Sequence, residues 1–299
     1  MNIAILSKGP KNYSTIRLVE EAQERGHNVR VINYAKCFVT LEQNNPIVHY
    51  RGEIVSGIDA IIPRISASLT NYGSSIVRQF EMQNVFTTTS SISIVRSRDK
   101  LRSMQLLAKS GVGIPKTVFA RETADYEGVL EQVGGAPVII KVARGTHGTG
   151  VVLAETRKAA LAVMQAFNVE GVNFLVQEYI EESRGEDIRA FVVNGKVIAS
   201  MTRKSSEDFR SNLHQGGVGE KVKLTDIERR TAQKAAKAMG LTVAGVDMLR
   251  SDRGPLVLEV NSSPGFNIEK ITDRNVAVSI IEYTEHSAKT GRRKDKVGA

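Results

Sequence analysis

The sequence predicts an α/β fold that becomes α+β in its second half. In the first 90 or so residues, short apolar runs alternate with amphipathic stretches, which is typical of a parallel sheet covered by helices. After residue 136, apolar runs are joined by hairpin signals such as Asn194-Gly195, which favour antiparallel strands. The 299 residues are enough for two or three domains, each with its own core.

The N-terminal unit is expected to alternate between strands and helices. The predicted strands are Asn2–Leu6, His27–Asn33 and Asp59–Ile65, and the predicted helices are Thr15–Arg25 and Ser74–Met82. Gly26 stands where a helix C-cap is expected. The first strand-to-helix turn reads SKGPKNYS and lacks the G-x-G-x-x-G fingerprint, so no dinucleotide site is predicted. A scaffold or substrate-side role is favoured for this unit.

A glycine-rich hairpin follows in the middle of the chain. Lys141 interrupts the apolar strand Ala136–Ala143, and a buried lysine needs an anionic partner. Residues 144–150 read RGTHGTG and lead into another strand, Val151–Glu155. A Walker loop would precede a helix instead, so this is a different kind of loop. Glycines allow the backbone to approach phosphates closely, and three occur here, at Gly145, Gly148 and Gly150.

On either side of this segment, the sequence predicts one helix, three strands and a polar loop. The predicted elements are a helix over Ser90–Ser110 and strands over Phe174–Tyr179, Glu186–Val193 and Lys196–Thr202. Asp187 and Arg189 share one face of the hairpin formed by the last two strands. The polar loop Arg203–Gly219 has no core pattern, and long irregular loops in compact domains tend to be functional or disordered.

Residues 243–265 predict a metal-binding β-hairpin. A three-residue loop, Asp252-Arg253-Gly254, sets a register that places Asp247 opposite Glu259, with Asn261 on the same face. Like charges facing each other across two strands are destabilising, and a cation between them would remove the penalty. The alternative is a surface hairpin whose acids face water, but apolar neighbours of Glu259 suggest a buried strand. Carboxylate and amide oxygens favour Mg²⁺ or Mn²⁺.

Composition narrows the setting and the ligands. Cys37 is the only cysteine, which excludes an intrachain disulfide and fits a reducing compartment. No apolar run reaches about 18 residues, so a cytoplasmic protein without membrane contact is expected. The net charge of +9 suits anionic ligands, and residues 289–299, five basic side chains against Asp295, form a tail expected to be disordered. Only 5% of residues are aromatic, so direct nucleic-acid binding is not favoured.

The chemistry-bearing motifs occur together in the order of the ATP-grasp fold. The strings RDKLRSMQLLA, GGAPVIIKVARGTHGTGVVLAET, DFRSNLHQGG and AGVDMLR…GPLVLEVNSSPG resemble the RimK family of ATP-grasp ligases. These ligases add glutamate to the C-terminus of the sixth small-subunit ribosomal protein. The resemblance extends to about Lys270 and implies a Rossmann-like pre-ATP-grasp domain at 1–95. It also implies a central ATP-grasp subdomain at 96–178 and a C-terminal one at 179–288, before the basic tail at 289–299.

The resemblance also implies roles for individual side chains. The expected ATP contacts are Lys100, Lys141, Gly145, Gly148, Gly150, Glu178, Tyr179, Asp187, Arg210, Ser211 and Asn212, with the two lysines on the phosphates, Glu178 and Tyr179 on the adenine side and Asp187 on the ribose. The expected ligands of two Mg²⁺ (or Mn²⁺) ions are Asp247, Glu259 and Asn261. The catalytic candidates are Arg189, Arg203 and Arg210; the first two would clamp the transferred phosphoryl group or a substrate carboxylate.

By resemblance, ATP converts the acceptor carboxylate to an acyl phosphate, and the amine of L-glutamate then attacks it. The implied partners are ATP, L-glutamate and a ribosomal protein acceptor, and a homo-oligomer is expected. Three alternatives are a ligase acting on a small metabolite, a non-catalytic ATP-binding switch and a basic RNA-binding protein. The complete set of lysines and metal ligands argues against the switch, and only the tail supports RNA binding.

Overall fold

The computed structural model describes residues 1–121, 123–142, 150–183, 185–204 and 218–290, which form four β-sheets flanked by helices. The strands are β1 (Asn2–Ser7), β2 (Asn28–Ile32), β3 (Cys37–Glu42), β4 (Asn45–Tyr50), β5 (Glu53–Ile54), β6 (Ala60–Arg64), β7 (Phe86–Thr87), β8 (Thr117–Ala120), β9 (Val138–Val142), β10 (Val151–Ala154), β11 (Phe174–Glu178), β12 (Glu186–Val193), β13 (Lys196–Lys204), β14 (Val218–Lys221), β15 (Val243–Leu249) and β16 (Leu256–Asn261). The helices are α1 (Tyr13–Glu24), α2 (Thr70–Met82), α3 (Ser91–Arg98), α4 (Lys100–Lys109), α5 (Tyr126–Gln132), α6 (Arg157–Val169), α7 (Asp226–Met239), α8 (Asn267–Thr272) and α9 (Val276–Thr290).

The predicted parallel sheet of the N-terminal unit is confirmed. Its strand order is β2-β1-β6-β7, and every pairing is parallel. The apolar side chains of β1 and β6 are buried, because helices and the C-terminal part of the chain cover both faces. Ser7 and Arg64 therefore mark the carboxyl ends of the two central strands, the edge of a parallel sheet where ligands generally bind.

A second, antiparallel sheet, β3-β4-β5, lies between β2 and β6 in the chain and was not predicted. Five of the six residues of β3 are exposed, so the strand lacks the apolar pattern of a core element. The tight turns were the available signal, since Asn44, Arg51 and Gly52 adopt left-handed backbone conformations typical of hairpins. Surface strands of this kind carry little hydrophobic periodicity.

The helix predicted for Ser90–Ser110 is two helices. Asp99 ends α3 and, with an extended backbone, caps α4, where its side chain accepts a hydrogen bond from the N–H of Arg102 at 2.9 Å. The break places Lys100 in the first turn of α4, from which its side chain reaches across to β9.

The central sheet has the order β10-β9-β11-β8 and is antiparallel throughout. Helices α5 and α6 pack on one face around Ile140, Met164 and Phe174. Lys141 lies on β9 opposite Val151 of β10 and Leu175 of β11. The predicted strand–loop–strand order around the glycine-rich segment is thus confirmed for the strands, while residues 143–149 lie outside the described part of the chain.

The C-terminal sheet, β14-β13-β12-β15-β16, carries most of the expected site residues. Asn194 and Gly195 join β12 to β13 with φ of 47° and 73°, as the hairpin signal predicted. The predicted pairing of Asp247 with Glu259 is confirmed. The register nearer the loop is one residue off, since Leu249 pairs with Leu256.

A β-bulge reconciles these two registers. Met248 pairs with Val257 and Asp247 with Glu259, which leaves Leu258 as the extra residue on β16. The strands end before the predicted three-residue loop begins, although Gly254 adopts the expected left-handed conformation, with φ of 91°. Because of this extra residue, the acids lie on the predicted side of the sheet.

The two ends of the chain pack together. Helix α9 lies against α1, and its Glu285 carboxylate pairs with Arg25 (2.7 Å) and His27 (2.7 Å). Helix α9 continues to Thr290, so the first two residues assigned to the disordered tail are helical, and residues 291–299 lie outside the described chain. Among the described helices, none is long and apolar enough to cross a membrane.

Candidate functional site

One face of the C-terminal sheet gathers the predicted acids and arginines. Asp187 pairs with Arg203 across β12 and β13, Arg189 pairs with Asp247 across β12 and β15, and Asp247 pairs with Glu259. Side chains alternate along strands, so residues two apart and residues directly opposite share a face. The charged side chains therefore lie together on one face of the sheet, and all of them come from strands.

The two arginines bind the acids in bidentate fashion. Arg189 donates from Nε and Nη2 to the two carboxylate oxygens of Asp247, at 2.7 and 2.5 Å. Arg203 donates from Nε to Asp187 Oδ1 at 2.7 Å and from Nη2 to Oδ2 of the same residue. Its Nη2 also lies 3.0 Å from Asp247 Oδ2. Asp247 is thus held by two guanidinium groups.

This network is buried, which sets its electrostatics. The exposed fractions are 2% for Arg203, 2% for Asp247 and 6% for Asp187. Burial would raise the pKa of Asp247, but Arg189 and Arg203 outweigh it and hold that pKa below its ordinary value. Burial would lower the pKa of Arg203, and the carboxylates of Asp247 and Asp187 raise it instead. Both groups are therefore charged across the physiological range.

The expected repulsion between Asp247 and Glu259 is partly compensated by two arginines. Arg189 and Arg203 already neutralise Asp247, and Arg189 Nη2 also lies 4.0 Å from Glu259 Oε1. Two guanidinium groups of the protein therefore supply part of the positive charge that the facing acids require. Arg189 takes part in this compensation because β12 brings it opposite Asp247, and a metal ion at the pair stays a prediction.

Glu259 and Asn261 offer the open part of the predicted metal site. The Glu259 side chain is 56% exposed and its Oε1 accepts a hydrogen bond of 2.8 Å from Asn261 Nδ2. Loss of surrounding water raises the pKa of Glu259, and the nearby Asp247 carboxylate raises it further. Across the described residues, no group of three or more His, Cys, Asp or Glu side chains could hold a metal ion.

The donor set nevertheless suits Mg²⁺ or Mn²⁺. The Glu259 carboxylate and the Asn261 side-chain amide lie side by side on an accessible face, with the amide nitrogen toward the carboxylate, and carboxylate and amide oxygens are the hard donors that such ions prefer. Asp247 would join them only by exchanging its Arg189 contact for the ion. Glu259 and Asn261 are therefore the residues that would hold the ion first.

The two predicted phosphate lysines are held by neighbouring strands of the central sheet, β9 and β11. Lys100 Nζ donates to the carbonyl of Val142 at 2.7 Å, and Lys141 Nζ donates to Gln177 Oε1 at 2.7 Å. Burial lowers the pKa of Lys141 to about 8 and also lowers that of Lys100. The Glu259 carboxylate opposes both shifts, which places the two lysines within its field.

Gln177 is a site residue that sequence reasoning missed. Its amide oxygen accepts from Lys141, and its amide nitrogen donates to Thr117 Oγ1 at 2.9 Å, so its orientation is set. The side chain is 3% exposed. The available signal was alternation along β11, because Gln177 lies two residues from Leu175, the partner of Lys141.

Gly150 is required by its surroundings at the end of the glycine-rich segment. Its φ is 75°, and a Cβ atom added there would lie 2.4 Å from Val142 Cγ2. Its carbonyl accepts the N–H of Val142 at 2.9 Å, which closes the base of the loop. The other glycines of this segment, Gly145 and Gly148, and the nucleotide-loop residues Arg210, Ser211 and Asn212 lie outside the described part of the chain.

The expected adenine and ribose contacts have other partners in this structure. Glu178 Oε1 accepts from the N–H of Lys116 and from Arg253 Nη2, both at 2.6 Å, so this carboxylate links the central and C-terminal parts. Both oxygens of Asp187 are bound by Arg203. A ribose contact at Asp187 stays a prediction, and the observed geometry counts against it. Tyr179 is partly buried at the junction and stays a candidate for the adenine side.

Comparison with known proteins decides the family. Residues 1–94 match the family model of the RimK PreATP-grasp domain, and residues 97–284 match that of the RimK-like ATP-grasp domain. The chain belongs to the RimK family. This membership confirms the predicted ATP-grasp fold and the predicted enzyme class, an ATP-grasp ligase.

Full-length relatives and solved structures agree with this family. A protein of Hydrogenovibrio crunogenus named probable alpha-L-glutamate ligase is 55% identical over 298 residues, 99% of each chain. Another of the same name, from Picosynechococcus, is 56% identical over 299 residues, again 99% of each chain. The structure of the ATP-grasp ligase PsnB complexed with minimal precursor, Mg and ADP aligns with a TM-score of 0.74 at 18% identity, covering 96% of this chain and 98% of PsnB.

Proposed function

We propose that this RimK-family ligase uses ATP and Mg²⁺ to add L-glutamate to the C-terminal carboxylate of a protein acceptor. The observation that carries the proposal is the placement of Lys100 and Lys141, which Val142 and Gln177 hold on neighbouring strands, with Glu259 near enough to raise the pKa of both lysines. Two partly buried cations near hard oxygen donors suit a metal-bound triphosphate. Relatives at 55% and 56% identity carry the name probable alpha-L-glutamate ligase, which supports glutamate as the amine.

The reaction follows from the chemistry of a carboxylate, which is a poor acyl donor. The acceptor carboxylate attacks the γ-phosphorus of ATP, forming an acyl phosphate and releasing ADP. The amine of glutamate then attacks the acyl carbon, and phosphate leaves as the amide forms. A bound Mg²⁺ would neutralise developing charge on the phosphates. Lys100 and Lys141 would neutralise the remaining phosphate charge from fixed positions, set by Val142 and Gln177.

The arginines have a positioning role in this proposal. Arg189 and Arg203 hold Asp247 and Asp187 rather than pointing freely into the cleft. They would keep the sheet face rigid while Glu259 and Asn261 take the ion. Clamping of the phosphoryl group is left to Arg210, which lies outside the described residues.

The acceptor proposed is the sixth small-subunit ribosomal protein, and a homo-oligomer is proposed as the working state. A surface for self-association is available on β3, an edge strand that leaves Phe38 and Leu41 exposed by 52% and 79%. Analytical ultracentrifugation of the wild type and of Leu41→Lys tests the oligomer. A sedimentation coefficient of a monomer for the wild type would contradict it.

One experiment tests the proposed reaction. The enzyme is incubated with Mg-ATP, the acceptor and each of glutamate, lysine and alanine, while ADP release and the mass of the acceptor are followed. Glutamate alone is expected to stimulate ADP release and to add glutamyl residues to the acceptor. With glutamate omitted, hydroxylamine should trap the activated acceptor as a hydroxamate. Equal stimulation by alanine, or mass gain without ADP, would contradict the proposal.

A further inference from the structure

Two arginines lie near the carboxyl end of β6, and one of them, Arg64, contacts the loop that follows β16. Arg64, the last residue of β6, donates from Nη2 to the carbonyl oxygen of Pro264 at 2.6 Å, and its guanidinium lies over the Phe266 ring, 5.0 Å from the centroid. Arg98, the last residue of α3, donates from Nη2 to the carbonyl oxygen of Ile65 at 3.0 Å. Both side chains are partly buried, so a small ligand can still reach them.

This loop lies on the face of the sheet that carries the candidate metal ligands. Gly245 is two residues before Asp247 on β15 and therefore shares its face. A Cβ atom added to Gly245 would lie 2.8 Å from Pro264 Cβ, so Pro264 covers that face directly. Arg64, bound to the Pro264 carbonyl, is therefore at the border of the site. The Glu259 carboxylate also acts electrostatically on Arg98.

The two guanidinium groups at this border form no ion pair with the described residues. Within the described chain, no carboxylate lies within salt-bridge distance of Arg64 or Arg98, whose contacts are carbonyl and hydroxyl oxygens. Burial, together with repulsion from Arg98, lowers the pKa of Arg64 to about 10. Two cations held close together without an acid indicate an anionic ligand.

Unsatisfied polar atoms occur at the same border. Arg98 Nε, Ser262 Oγ and Ser263 Oγ are buried and have no hydrogen-bond partner among the residues that the structure describes. Ser262 and Ser263 directly precede Pro264, the residue that Arg64 contacts. Buried donors without an acceptor destabilise a fold and are rare, so they suggest that a ligand supplies the acceptor.

We propose that Arg64, Arg98, Ser262 and Ser263 form a subsite for a substrate carboxylate. The subsite rests on the proposed ligase function and gives its carboxylate substrates a place on the N-terminal side of the cleft. Guanidinium and hydroxyl groups donate to carboxylate oxygens, and the planar fork of arginine matches a carboxylate geometrically. The carboxyl end of a parallel strand, where Arg64 lies, is a usual position for a ligand. The carboxylate comes from free glutamate or from the acceptor.

Kinetics of four variants test the subsite. They are Arg98→Met, Arg98→Lys, the double variant Ser262→Ala/Ser263→Ala, and Arg78→Met as a control. The control removes one positive charge from the exposed face of α2, away from the cleft. For each, KM is measured for glutamate and for the acceptor, with ATP affinity and thermal midpoint measured in parallel.

The loss of a charge-assisted hydrogen bond predicts that Arg98→Met raises KM for one carboxylate substrate about 10-fold or more, and Arg98→Lys less. The serine double variant should raise the same KM about 5-fold without lowering the thermal midpoint, because it removes unsatisfied hydroxyls. ATP affinity and the Arg78→Met control should stay unchanged. An effect confined to glutamate assigns the subsite to the amino acid, and one confined to the acceptor assigns it to the terminal carboxylate.

The subsite is refuted if the serine variant and any folded Arg98 variant keep both KM values within about twofold of wild type. It is also refuted if the serine variant loses substrate affinity only together with folding stability. Failure of the ligase function itself is a different result, namely no glutamate-dependent ADP release by the wild type. Calorimetric titration of wild type and the serine variant with glutamate and with an acceptor peptide then still tests the subsite, and equal affinities for both ligands refute it.

Discussion

Replacing Arg203 by methionine should destabilise the protein strongly, since this guanidinium serves two buried carboxylates. It is 2% exposed and provides the only contacts that the described structure shows for the oxygens of Asp187. Asp247 would keep Arg189. Removing one partner of a buried ion pair costs about 3–5 kcal/mol, because the other charge remains uncompensated.

The size of the effect can be checked by thermal and urea unfolding. If each kcal/mol shifts the midpoint about 2–4 °C, Arg203→Met should melt about 6–20 °C below wild type. Arg189→Met is the matched control, because Arg189 is 17% exposed and its partner Asp247 keeps the Arg203 contact. Its cost should be smaller, about 1–3 kcal/mol.

A double variant separates the lost charge from the lost volume. Arg203→Met/Asp187→Leu removes both members of the buried pair, and apolar replacements of such pairs are often tolerated. The double variant should therefore recover most of the stability that Arg203→Met loses. The reasoning is refuted if Arg203→Met melts within about 2 °C of wild type, or if the double variant is no more stable than the single one.

Three further outcomes are expected. Glu259→Gln should change the free energy of unfolding by less than about 0.5 kcal/mol, because Glu259 is 56% exposed and Arg189 approaches it only to 4.0 Å. Its Mg-dependent ADP release should nevertheless fall by orders of magnitude. Thermal melts and turnover assays, each with Mg²⁺ and with EDTA, check both outcomes. The pKa of Lys141 is lowered to about 8, so this side chain loses its charge as the pH rises through 8. ATP affinity should then fall by up to about tenfold per pH unit. An ATP affinity that stays constant from pH 7.5 to about 9.5 would contradict this. Gly150→Ala should cost more stability than Gly171→Ala. Both glycines have a positive φ, at which an added Cβ costs about 1–2 kcal/mol, but only at Gly150 would that Cβ also lie 2.4 Å from Val142. Urea unfolding of the two variants measures the difference.

The sequence alone determined the parallel N-terminal sheet, the central strands and the face that carries the acids. The strands depend on local periodicity, and alternation of period two places Glu259 and Asn261 on one face of β16. Asp247 faces Glu259 because the β-bulge at Leu258 corrects the register near the loop. The sequence also carried the family, through motifs spread over nearly the whole chain. Local patterns missed the exposed sheet β3-β4-β5, because surface strands have little hydrophobic periodicity.

Only the tertiary structure decided the partners of the charged side chains. The order β13-β12-β15 brings Arg203 and Arg189 onto Asp247, so the two arginines expected to clamp the phosphoryl group or a substrate carboxylate bind acids in this structure, and their catalytic role stays a prediction. Arg64 meets Pro264 across 200 residues of sequence. Such contacts depend on which strands and domains become neighbours. The sequence does not show whether a charged residue has water, an acid or a ligand as its partner. Burial then decides its energy, because a charge removed from water must find a partner.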